Sequence, residues 1–115
     1  MVIRGREYGF KMTIGASGEL AKLCPNNDIK RVREIFGDDY ADSLENSKKF
    51  VLILNKWFVK AEKFDGREAD ELSAEMLDVL TPDEFAMLSK AAMRAFSHDT
   101  DTEVKTKNVE AGGEQ

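Results

Sequence analysis

The chain has 115 residues, 42% hydrophobic and 34% charged, with a formal charge of -5. That length favours one compact domain with a core of its own. The acidic balance argues against nonspecific binding of nucleic acid or of an anionic membrane, and the longest apolar run, residues 50 to 54, is far too short to span a bilayer.

Residues 2 to 13 read as two short strands. Val2 and Ile3 are β-formers, Gly5-Arg6 supplies a turn, and Tyr8, Phe10 and Met12 alternate with Gly9, Lys11 and Thr13. That is the period of a half-buried strand. An isolated hairpin is marginal in water, so this one is expected to lie on the helices that follow. From Ile14 the period changes. Ala16, Leu20 and Leu23 fit a short helix that Pro25 ends. Asn27 or Asp28 can cap a second one, in which Ile29, Val32, Ile35 and Phe36 share a face and Gly37 is the stop.

Asp38 or Asp39 starts the longest segment, residues 38 to 64, which is either one bent helix or two with a break at Asn46-Ser47. Its second half is apolar over more than half its circumference, the mark of a helix with neighbours on two sides. Residues 68 to 80 read as an acidic helix with Leu72, Met76, Leu77 and Leu80 inward. Then Thr81, Pro82 and Glu84 give a capping box, followed by Phe85, Leu88, Ala92 and Phe96 on a core face. After Ser97 the chain turns polar, with no aromatic residue, and residues 98 to 115 are expected to be a disordered tail. The fold expected is α+β and mostly α. A short N-terminal β-hairpin packs on a bundle of about four to five helices, all within one domain over residues 1 to 97.

Residues able to do chemistry are scarce. His98 is the only histidine and has no second histidine or cysteine near it, so no metal site is expected. Cys24 is the only cysteine, which excludes an intramolecular disulfide, fits a reducing compartment and leaves a thiol with no histidine base. The glycines of TIGASGEL lack the lysine of a phosphate loop, and neither DTDTE nor KFDGREADE completes a calcium loop. No catalytic residue and no cofactor is predicted. The apolar load of the long helix is more informative. Phe50, Ile53, Leu54, Trp57, Phe58 and Phe64 form a candidate interaction surface, set against the plainer reading of a core helix. Met76, Met87 and Met93 carry the same ambiguity, and self-association is expected.

The N-terminal stretch has the form I-x-G-x-E-Y-x-F-K-x-T-x-G-A, carried by Ile3, Gly5, Glu7, Tyr8, Phe10, Lys11, Thr13, Gly15 and Ala16. With amphipathic helices and a charged terminus behind it, the chain resembles the tail assembly chaperones of long-tailed bacteriophages. The resemblance rests on this N-terminal pattern, and the helical remainder matches in layout alone. It implies a small protein in the cytoplasm of an infected bacterium. There it would bind the tape measure protein and assist tail tube assembly, with tail tube protein as a further partner. It brings no catalytic residues. It also implies a second, longer form made by ribosomal frameshifting, for which the adjacent codons of Gly112 and Gly113 can encode an uninterrupted run of guanines. The alternative is a small regulatory or adaptor protein that binds one folded partner.

Overall fold

The computed structural model describes the backbone of residues 1–37 and 39–112 and the side chains of residues 1–37 and 39–99. Helices dominate, and a two-stranded antiparallel hairpin stands at the N-terminus. Strand β1 (Val2–Ile3) pairs with β2 (Arg6–Glu7) through Ile3 opposite Arg6. Arg4 and Gly5 both have positive φ, 52° and 83°, so the turn sits one residue earlier than the sequence pattern places it. Two such residues match the right-handed twist of a two-residue hairpin.

The strands end at Glu7, although Met1 and Tyr8 still exchange backbone hydrogen bonds in the same register, Tyr8 donating at 2.8 Å and Met1 at 3.1 Å. Beyond Tyr8 the expected second strand has no strand partner, and its Lys11 amide donates instead to the carbonyl of Leu54 at 3.1 Å. Met12 donates to the Asp99 carboxylate at 2.8 Å.

Helix α1 (Ile14–Leu23) starts on Thr13, whose hydroxyl accepts the Ala16 amide at 3.0 Å. A short 3-10 turn (Pro25–Asn27) follows. The next apolar face, Ile29–Phe36, is 3-10 rather than α, is capped by Asp28, and buries Val32 and Ile35. Helix α2 (Tyr40–Phe64) is a single helix of 25 residues capped by Asp39. Asn46 does not break it, because its side chain reaches outward and donates to the Ile35 carbonyl at 2.7 Å. Gly66, at φ 85°, turns the chain after the helix end.

The acidic helix expected over residues 68 to 80 is much shorter, α3 (Ala74–Val79). The Leu72 amide donates instead to Oδ1 of buried Asn55 at 2.7 Å, and Ser73 then caps the helix through the Met76 amide. Helix α4 (Pro82–Gly112) opens on the capping box: the Thr81 amide donates to Glu84 at 3.0 Å and the Glu84 amide to Thr81 at 3.2 Å. The helix continues through His98 and Asp99, where the sequence places the first tail residues, and Asp99 ties it to Met12. From residue 100 on, the expected disordered tail falls on residues whose side chains lie outside those described, and Gly113 lies outside the described residues altogether.

The core gathers around α2. Phe50, Val51 and Leu54 are fully buried with Ala16 and Leu20 of α1 and Leu88 and Ala92 of α4, and Ile3 and Tyr8 join them from the N-terminus. Phe50 stacks edge-on against Phe36 and Phe96, with ring centroids 5.5 and 5.8 Å apart.

Candidate functional site

The structure divides the six aromatic and aliphatic residues of the candidate surface. Phe50 and Leu54 are core. Ile53, Trp57 and Phe58 are half-buried, and Phe64 is 91% exposed. The division follows from what lies across each flank of α2. Backbone lies against this helix at Gly9 of the N-terminal segment and at Gly15 in the first turn of α1. A Cβ at Gly9 would meet the Phe58 ring at 2.4 Å, and one at Gly15 would meet the Trp57 indole at the same distance. Glycine is what lets backbone rest on these two rings. The Trp57 indole N–H donates to Glu19 of α1 at 3.0 Å, and Lys56 reaches the same carboxylate at 2.6 Å. Lys56 and Lys60 stand 5.8 and 5.5 Å from the indole centroid, within cation–π range. These contacts hold the Glu19 carboxyl below its usual range, with the Lys56 hydrogen bond the largest cause.

A second apolar site lies at the other end of α2. There the first turns of α2, with α3 and the start of α4, enclose a cleft of about 340 Å³. Leu44, Leu77, Leu80, Pro82 and Phe85 supply apolar walls, and Tyr40, 75% exposed, stands at its edge. Ser43, Ser47, Thr81 and the Lys48–Asp78 ion pair, 2.8 Å across, provide the polar groups. Asp78 raises the Lys48 pKa, so the ammonium is fully charged at neutral pH. Tyr40 and Leu44 recur at helical spacing with Val51, Leu54 and Phe58 in the sequence of α2, but nothing in that spacing marks α3 and α4 as the opposite walls. Val79 and Met87, 65% and 52% exposed, add apolar surface on those same elements. Met76 and Met93 are half-buried and belong to the packing around the core.

The residues weighed for chemistry are placed as follows. Cys24 is buried, its thiol donates to the Leu20 carbonyl at 3.2 Å, and burial pushes its pKa up, aided by Asp28 and Glu34. A thiol so placed is protonated at neutral pH and not a nucleophile. His98 is exposed, 3.3 Å from the neighbouring Asp99 carboxylate. Among the described residues, no group of three or more histidine, cysteine or carboxylate side chains is arranged to hold a metal, and no helix is long and apolar enough to cross a membrane.

Set against models of known families, curated proteins and solved structures, the chain matches none of them.

Proposed function

We propose that the protein is a non-catalytic binding protein whose cleft between α2, α3 and α4 takes the apolar stripe of a helical client. The observation that carries this reading is the cleft itself. Three helices surround an apolar floor, polar groups stand around it, and an exposed tyrosine sits at its edge. An apolar centre within a polar surround is the anatomy of a recognition surface, and tyrosine is enriched at such sites. A helix laid in a groove presents anchors at i, i+3, i+4 and i+7, which suits a cleft walled by helices.

The client class follows from the N-terminal pattern of Ile3 to Ala16. By that resemblance the protein is a tail assembly chaperone in the cytoplasm of a phage-infected bacterium, and its client is the tape measure protein. A long, helical client exposes repeated apolar stripes, and many copies along it would gain avidity from modest single contacts. The test is co-expression with the product of a long coiled-coil reading frame, which this reading expects beside the gene. A soluble complex that Leu44→Glu or Phe85→Glu abolishes is the expected result. A neighbourhood with no such reading frame, or a client that stays insoluble, would remove the chaperone reading and favour an adaptor with one folded partner.

A further inference from the structure

Charge is unevenly distributed along the chain. Residues 48 to 63 carry five lysines and one acid, whereas residues 65 to 84 carry eight acids and one arginine. The fold turns this into two exposed patches. At the C-terminal end of α2, Lys60 and Lys63 are exposed with no ion-pair partner among the described residues, beside Trp57 and the exposed Phe64. On α3 and the first turn of α4, Glu75 and Asp83 are exposed and equally unpaired, with exposed Val79 between them in the chain. Neither acid, nor Val79, lines the cleft.

Among the described residues, no ion pair joins the two patches within one molecule: Asp78 of α3 pairs with Lys48, and Lys60, Lys63, Glu75 and Asp83 are left without an ion-pair partner.

We propose that these patches bind each other between copies. The cationic aromatic end of α2 on one molecule docks on the exposed acidic surface of α3 and the first turn of α4 on the next. Opposite charges bring the copies together, and Phe64 and Val79 supply apolar area where they meet. Because the two patches are different surfaces, the copies close as a two-fold dimer where both patches of one meet both of the other, and propagate into a ring or an open row where each contact uses one patch of each. This inference is independent of what the cleft holds.

The experiment is sedimentation velocity on the full chain and three variants, at low and high salt. Lys60→Glu with Lys63→Glu reverses one patch, and Glu75→Lys with Asp83→Lys reverses the other. The fourfold variant reverses both and restores the net charge. Wild type is expected to self-associate, less so at high salt, and each reversed pair to weaken this roughly tenfold or more. The fourfold variant is expected to recover association. So is an equimolar mixture of the two reversed pairs, in which every contact again joins opposite charges. That mixture decides the matter if the fourfold variant fails to fold. Wild type monomeric at every concentration, or reversed pairs that associate like wild type, would overturn the proposal. So would folded variants whose combination stays monomeric.

Discussion

Gly15 lies so close to Trp57 that a Cβ built on it would stand 2.4 Å from the far edge of the indole. Gly9 bears the same relation to Phe58. The N-terminal segment at Gly9 and the first turn of α1 at Gly15 thus rest on two neighbouring rings of α2. Gly18, on the same helix as Gly15, has nothing within 4 Å of its Cβ position.

These two helical glycines give opposite expectations. Gly18→Ala removes backbone freedom without a clash and is expected to stabilise the protein by about 0.5–1 kcal/mol. Gly15→Ala gains the same helix propensity but must push the indole away from Glu19, and overpacking costs about 1–3 kcal/mol. A net loss of about 1 kcal/mol with a red-shifted Trp57 emission is expected. Equal stabilisation by both substitutions in thermal melts would show that the indole moves freely.

Asn55 is fully buried and joins three parts of the chain. Its side-chain amide donates to the Gly9 carbonyl at 3.0 Å and accepts the Leu72 amide at 2.7 Å. Asn55→Ala leaves both partners unpaired in the interior, at an expected cost of about 3 kcal/mol. The check is the urea midpoint, and a shift worth under about 1 kcal/mol would mean that water replaces the lost bonds.

Much of the fold is legible in the sequence where the signals are local. The Thr81–Glu84 box and the Asp39 cap depend on residues close in the chain, and they stand where pattern and capping chemistry place them. The strand over residues 8 to 13 and the helix over 68 to 73 are misread for one shared reason. Both segments have the right periodicity, but Leu54 and Asn55 of α2 capture their backbone groups, and neither contact has a local signature. The candidate surface is legible only in part. Periodicity marks α2 as apolar on several flanks, but it does not say which flank the glycine segment covers or which one faces the cleft.

The Glu19 carboxyl is held low by Lys56 and, to a lesser extent, by the Trp57 indole. A carboxylate with a depressed folded-state pKa stabilises the fold above its unfolded value, and the contribution is lost as pH falls through the folded value. Stability is therefore expected to decline on acidification below about pH 4, where an ordinary glutamate titrates. Trp57 emission should change in the same range, and Glu19→Gln should flatten the profile. An unaltered profile in that variant would assign the acid sensitivity to other carboxylates.

Thr81→Ala removes the side chain that accepts the Glu84 amide at the start of α4. The expected loss is about 1 kcal/mol, read from the thermal or urea midpoint. Glu84 also accepts from Arg4 of the hairpin turn at 2.9 Å, so Arg4→Ala should lose less than Thr81→Ala, as befits an exposed pair. The reverse order would show that the hairpin, and not the cap, fixes the start of α4.

Binding of a helical client in the cleft of α2, α3 and α4 is tested most directly by amide chemical shifts of the labelled protein. The titrant is an amphipathic helical peptide cut from the long coiled-coil reading frame that the proposed function expects beside this gene. Saturable shifts at Tyr40, Leu44, Leu80 and Phe85, with Lys60 and Phe64 unmoved, are the predicted result. No shift at saturating peptide, or shifts confined to the Trp57–Phe64 end of α2, would contradict it.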